Sequence, residues 1–303
     1  MLNTHKDSLR YDAGDFAYGT WRILDEKIPT TVEELAERLN SCLECGITTL
    51  DTAEIYGGYL VEESLGKVLK SHQELREGFK VVTKAGIDVP SDEKKHATLP
   101  HYNASSKNLV TCAEKSLQLL GVDAIDLFLI HRPDWLSSPE DTAAGLQQLL
   151  DEGKVKNVGV SNYSIHKFET LDQLMDGKLA TNQVEFSPLE MAPLYDGTFD
   201  QCQQKKIRAM AWSPLGGGVL FRDQEGAAKR LRDKLTELSP KYGDAPIDVL
   251  VYAWILATPA NPTVILGTNK LDRILDGAKG ATIQLDRQDW YGIWEAAKGQ
   301  SVP

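Results

Sequence analysis

The sequence predicts an α/β fold, a closed (β/α)8 TIM barrel, and three observations carry that prediction. Short apolar, β-branched runs of strand length recur eight times along the 303 residues, and helical patterns fall between them. Strands that alternate strictly with helices pair in parallel, with the helices as crossovers. Eight such units in a chain of this length suit a closed barrel better than an open doubly wound sheet. The first strand also lacks the G-x-G-x-x-G turn that opens a dinucleotide-binding half of an open sheet.

The elements follow in order. Residues 1–15 precede the first strand and are expected to form an N-terminal hairpin that closes the barrel bottom. FAYGTW from residue 16 is the first strand, and TVEELAERLNSCLEC is the first helix by its apolar spacing. TTLDTAE from 48 is the second strand, and the apolar residues Leu60, Val61, Leu65, Val68 and Leu69 behind it stand near helical spacing. FKVVTKA from 79 is the third. Residues 86–102, GIDVPSDEKKHATLPHY, make a long connection of the kind that often carries function. After the helical pattern SSKNLVTCAEKSLQLLG come AIDLFLIH from 124, VKNVGVSN from 155, TNQVEFS from 181 and IRAMAWSPL from 207. The helical pattern APIDVLVYAWILATP then leads to NPTVILGT from 261, the eighth strand. Residues 284–297, QLDRQDWYGIWEAA, read as an extra C-terminal helix. No linker interrupts the rhythm, so residues 1–303 are read as one domain.

Hydrophobic content of 42% and charged content of 25% suit a soluble globular protein with a substantial core. A formal net charge of −11 argues against nucleic acid or an anionic membrane as partner, because no global positive field draws either. The N-terminus lacks the apolar core of a signal peptide, and no apolar run reaches the ~18 residues of a membrane span. Cys42 and Cys45 form a C-x-x-C inside a helical pattern, with no second pair or clustered histidines. They are read, with Cys112 and Cys202, as helix residues in a reducing cytoplasm and not as a metal site.

Chemistry in a barrel of this kind collects at the carboxyl ends of the strands. The second strand delivers Asp51 there, with Tyr56 in the loop behind it. The third delivers Lys84, the fourth His131, the fifth Ser161 and Asn162, and the sixth carries Gln183. The seventh ends WSPLGGG and the eighth GTNKLDR. Taken singly each has a bland reading: Asp51 as a helix cap, Lys84 as a solvated strand end, His131 as a turn residue, Tyr56 as a surface aromatic. Together an acid, a phenol, an amine and an imidazole converge on one mouth. A phenol is a poor acid near neutrality, and an ammonium beside it favours its ionised form. A carboxylate keeps that ammonium charged and in place. Such a set suits proton transfer to or from an oxygen.

With LDTAEIYG, VVTKAG, LFLIHRPD, VGVSNY, the NQVEFS strand, AWSPLGGG and ILGTNKLDR in order, the chain resembles the aldo-keto reductase superfamily over nearly its whole length. The resemblance implies NADPH-dependent reduction of aldehydes or ketones, with Asp51, Tyr56, Lys84 and His131 as the catalytic tetrad. Tyr56 would be the general acid, Lys84 would lower its pKa, Asp51 would pair with Lys84, and His131 would hold the substrate oxygen. It also implies cofactor contacts from Gly19, Thr20 and Asp51, carboxamide contacts from Ser161, Asn162 and Gln183, and a ring against the nicotinamide from Trp212. Ser213, Leu215 and Gly217 match the pyrophosphate loop, and Thr268, Asn269, Lys270 and Arg273 the adenosine end. Lys270 and Arg273 at a helix start offer a cationic nest for a 2′-phosphate. The family often carries Asn or Glu four residues after that arginine, where Gly277 stands here. Trp21, the 86–102 segment and Trp135 are expected to line an apolar pocket for neutral or aromatic carbonyl compounds. Two rivals stand beside this reading: an NADP(H)-binding regulatory relative with little turnover, and a phosphate-handling barrel with Lys84 as Schiff base.

Overall fold

In the computed structural model, which describes residues 9–25 and 30–303, eight parallel strands close into a barrel. They are Phe16–Gly19, Thr49–Asp51, Lys80–Ala85, Leu127–Ile130, Val158–Ser161, Leu179–Glu185, Met210–Trp212 and Thr263–Leu266. Each falls within or overlaps an expected run. Neighbours in sequence are neighbours in the barrel, and the first strand closes it against the eighth with Phe16 opposite Val264 and Tyr18 opposite Leu266.

The strands are buried on both faces, as parallel strands under crossover helices must be. Ala17, Val82, Leu127, Leu129, Ala180, Met210 and Ile265 form one cluster, distinct from the larger cluster that contains Val81, Phe128, Ile130 and the helix residues Leu65, Leu109 and Leu146. In the third and fourth strands the two memberships alternate along the chain, which is the pleat of a β-strand placing successive side chains on opposite faces.

The hairpin expected over residues 1–15 falls in part on residues 1–8, which lie outside the described residues; residues 9–15 form no strand. Tyr11 and Ala13 instead pack into the smaller cluster, while Asp12 and Asp15 pair with the buried Arg208 at 3.1 and 2.8 Å. Ion pairing, not strand pairing, fixes this segment.

Local chemistry sets the helices. Val32–Glu44 opens on a capping box in which Thr31 and Glu34 satisfy each other's backbone N–H groups. Cys42 is buried in this helix and Cys45 is its C-terminal cap, both as free thiols. The extra C-terminal helix is Arg287–Lys298, capped by Asp286 and anchored by Trp290, whose ring stacks on Trp254 at 4.7 Å. The long 86–102 connection is tied at its base by a two-residue antiparallel pair, Ile87–Asp88 with His101–Tyr102. Among the described residues no helix is long and apolar enough to cross a membrane.

Candidate active site

The strand ends bring the expected residues to one place. Lys84, at the end of the third strand, is fully buried, and its Nζ has three neighbours: Asp51 Oδ2 at 2.8 Å, Thr52 O at 2.8 Å and Tyr56 Oη at 3.1 Å. Asp51 accepts a second bond at Oδ1 from Gln183 Nε2 at 2.7 Å, so both carboxylate oxygens are occupied. Tyr56 opens a single helical turn, Tyr56–Tyr59, in which Gly57 and Gly58 take left-handed φ values of 56° and 66°. A side chain there would be strained, and one at Gly57 would also meet Leu24 and Val61. The His131 ring stands edge-on to the Tyr56 ring, centroids 5.8 Å apart.

The electrostatics follow from burial. The Tyr56 ring is partly open to the mouth, but its hydroxyl sits against the buried Lys84 and Asp51. Burial pushes the phenol above its ordinary range, Lys84 and Arg132 pull it down, and burial wins. The lowering expected from Lys84 is therefore one contribution and not the net direction. For Lys84 itself burial opposes the charge, yet Asp51 and Tyr56 outweigh it and hold the ammonium protonated. His131 is held well below the ordinary histidine range by burial, then by Lys84 and Arg132, so the imidazole is neutral. Its Nδ1 is buried without a hydrogen-bond partner among the described residues.

A second set of side chains is linked to the first. Ser161 Oγ donates to the Gln183 carbonyl at 2.9 Å and accepts from Asn162 Nδ2 at 2.8 Å. Asn162 Oδ1 accepts from Trp212 Nε1 at 3.1 Å, which fixes the indole at the mouth. Asn162 and Ser213 hold left-handed φ values of 60° and 51°, conformations that non-glycine residues keep only where surroundings enforce them. Behind Trp212, Leu215 precedes the turn Gly216–Gly218, where Gly217 and Gly218 have φ of 61° and 93° and open space on the side a Cβ would fill. A planar ring anchored beside three carboxamide-competent side chains, followed by a bare backbone turn, fits a nicotinamide dinucleotide.

The remaining predicted residues divide. Thr20 gives both its N–H and its hydroxyl to the Asp51 carbonyl, at 3.0 Å each, so its role in this structure is to hold the second strand end. Gly19 sits where a Cβ would lie 2.6 Å from Ile265 Cγ2, which makes it a close-packing position of the barrel wall. Asn269 donates to the Arg22 carbonyl at 2.8 Å, and the Lys270 N–H donates to Thr268 Oγ1 at 3.2 Å. Lys270 stands at the N-terminal boundary of the helix Leu271–Ala278 and is exposed; Arg273 is exposed with its guanidinium 5.5 Å over the Phe221 ring, beside the glycine turn. Trp21 and Trp135 are exposed at the rim, Trp135 against Tyr102 at 5.6 Å.

Two residues were missed from sequence. Arg132, directly after His131, lies 5.6 Å over the Trp212 ring and makes no hydrogen bond or ion pair among the described residues. Its place in LFLIHRPD, at a strand end, was the available signal. Arg22 donates to the Gly217 carbonyl at 3.2 Å and bridges the first and seventh strand ends; nothing in GTWRILD announces that.

A parallel eight-stranded barrel with a buried lysine, an aspartate, a tyrosine and a histidine gathered at its carboxyl face defines a class of oxidoreductases. The family model described as "Aldo/keto reductase family" matches residues 15–298, and the chain belongs to that family. It is 39% identical to the Escherichia coli protein "Oxidoreductase YdhF", over 95% of each chain. It is also 39% identical to "6-dehydroglucose reductase" of Agrobacterium fabrum, over 94% of each. Among solved structures, an aldo/keto reductase from Klebsiella pneumoniae in complex with NADP and acetate shares the fold, with a TM-score of 0.76 at 24% identity over 93% of this chain and 90% of that one.

Proposed function

We propose that the protein reduces aldehydes or ketones to alcohols, reversibly, with NADP(H), and that Tyr56 is its proton donor. The observation that carries this reading is the position of Lys84 Nζ, 2.8 Å from Asp51 and 3.1 Å from the Tyr56 hydroxyl in a buried pocket. When bound, the nicotinamide supplies a hydride to the carbonyl carbon. Tyr56 then gives its proton to the carbonyl oxygen, and the charge left on the phenol forms against the Lys84 ammonium. Asp51, held by Gln183, keeps that ammonium charged and still. His131, neutral, orients the oxygen and does not serve as a charged acid. In alcohol oxidation the same groups act in reverse, with the Tyr56 phenolate as base.

Ser161, Asn162 and Gln183 are assigned to the carboxamide, Trp212 to the ring, and Ser213, Leu215 and Gly217 to the pyrophosphate. Gly19, Thr20 and Asp51 shape the floor, while Thr268, Asn269, Lys270 and Arg273 take the 2′-phosphate end. The Klebsiella protein of the same fold is described with NADP, which favours this cofactor over a flavin or a metal. Trp21 and Trp135 form an apolar rim and Arg132 adds unused donors beside it. The substrate screen therefore pairs aromatic aldehydes with hydroxylated ones such as that in the Agrobacterium relative's name. We place the enzyme in the cytoplasm, on its four free thiols.

The test is direct. Purified protein mixed with NADPH and reactive aldehydes oxidises many equivalents of cofactor, followed by loss of NADPH absorbance. Tight NADPH binding without turnover on any aldehyde or ketone would instead favour the regulatory relative.

A further inference from the structure

The 86–102 segment contains a buried cation that the proposed mechanism does not use. Lys94 Nζ lies 2.7 Å from Glu54 Oε1 and 2.8 Å from Asp88 Oδ1, and the three side chains are 8%, 3% and 0% exposed. At these distances the ammonium forms ion pairs with both carboxylates. Burial opposes the Lys94 charge, but the Glu54 and Asp88 carboxylates outweigh it and the ammonium stays protonated. Cys112 Sγ, on the helix Ser106–Leu120, is 3.7 Å from the same Nζ.

Each partner leads to the active site. Glu54 stands two residues before Tyr56, and its N–H donates to the Lys84 carbonyl at 2.9 Å. The turn Thr52–Ile55 is thus held by Lys84 through the Thr52 carbonyl and by Lys94 through the Glu54 carboxylate. Tyr59, on the same single helical turn as Tyr56, donates its hydroxyl to the Ile87 carbonyl at 3.2 Å and accepts from the Val89 N–H at 2.9 Å. Lys94 lies 5.7 Å over the Tyr59 ring.

We propose that Lys94 is a positioning residue: by neutralising Glu54 and Asp88 it seats the 86–102 segment against the turn that carries Tyr56. The proposal rests on Tyr56 being the proton donor. Without Lys94, two buried carboxylates face each other across the joint. The other groups facing them are His96 Nε2 at 3.3 Å and His101 Nε2 at 3.6 Å from Asp88, the Tyr59 phenol, the Cys112 thiol, and Glu62 behind Glu54. None of them reaches Glu54 with a positive charge, so the Glu54 carboxylate is the one left uncompensated.

The experiment compares kcat for aldehyde reduction in the full chain, Lys94→Met, Lys94→Met/Glu54→Gln and Tyr56→Phe, with NADPH affinity measured alongside. Lys94→Met loses about 10-fold to 10²-fold in kcat, the scale that ångström misplacement of a catalytic group costs. NADPH affinity changes little. Glu54→Gln in the same chain relieves the loss, because it removes the carboxylate left without its cation. A loss that Glu54→Gln does not relieve, or parental kcat in Lys94→Met, overturns the proposal. Should Lys94→Met alone not fold, the double variant decides: folded and near parental supports the proposal, folded and slow overturns it. Parental kcat in Tyr56→Phe removes the donor assignment and this proposal with it. An inactive Tyr56→Phe beside a parental Lys94→Met removes this proposal alone.

Discussion

At the scale of single residues, burial decides which protonation states the site offers. Tyr56 is raised by burial and His131 lowered by burial, Lys84 and Arg132, so a protonated phenol stands beside a neutral imidazole. A group lowered in this way does not titrate near the ordinary histidine value, and a raised phenol stays protonated past the ordinary tyrosine value. We therefore expect kcat for reduction to be flat from about pH 6 to about pH 9. A steep step near the ordinary histidine range in a pH–rate profile would contradict the neutral imidazole. Removing the cation separates the two directions of reaction. Lys84→Met should slow reduction by about 10²-fold to 10⁴-fold, because the phenol then leaves its charge unpaired. In alcohol oxidation the loss should ease as pH rises and phenolate forms without help; an oxidation rate that stays flat to alkaline pH would contradict this role. The gathering of Asp51, Tyr56, Lys84 and His131 was legible in sequence because LDTAEIYG, VVTKAG and LFLIHRPD place polar groups at the ends of strand-like runs. Lys94 was not. In SDEKKH it reads as one solvated charge among several, and only tertiary contact with Glu54 and Asp88 buries it.

At the scale of elements, the barrel strands were legible because parallel strands buried on both faces read as continuous apolar runs. The pair Ile87–Asp88 and His101–Tyr102 was not, since two residues carry no period. Residues 9–15 form no strand, and the pairing of Asp12 and Asp15 with Arg208 that holds them has no sequence pattern of its own. Helix contacts were equally hidden. Gly66 in the helix Val61–Ser71 faces the end of Ser106–Leu120 so closely that a Cβ would lie 1.9 Å from the Leu119 carbonyl oxygen. Alanine raises helix propensity by up to ~1 kcal/mol over glycine, yet here backbone must move to admit it. Gly66→Ala should destabilise the fold by about 1–3 kcal/mol or more, read from urea unfolding. An unchanged or raised midpoint would show that the two helices separate freely.

At the scale of the whole molecule, a chain of net charge −11 takes an anionic cofactor only through local cations. Arg273 is exposed beside the glycine turn and Lys270 stands at the start of the same helix, while Asp272 in its first turn tempers both. A charge-assisted contact contributes ~1.5–3 kcal/mol, so Arg273→Ala should weaken NADPH binding by about 10-fold to 10²-fold and leave NADH nearly unchanged. Equal losses for both would make Arg273 a support for the helix and not a phosphate contact. The barrel and the cluster at its mouth support the proposal that this protein turns over carbonyl compounds through one phenol. Tyr56→Phe removes that proton and little volume, and steady-state reduction with NADPH titration in parallel tests the claim most directly. Near-complete loss of turnover with NADPH affinity kept is expected; turnover within a few-fold of the parent would contradict Tyr56 as the proton donor.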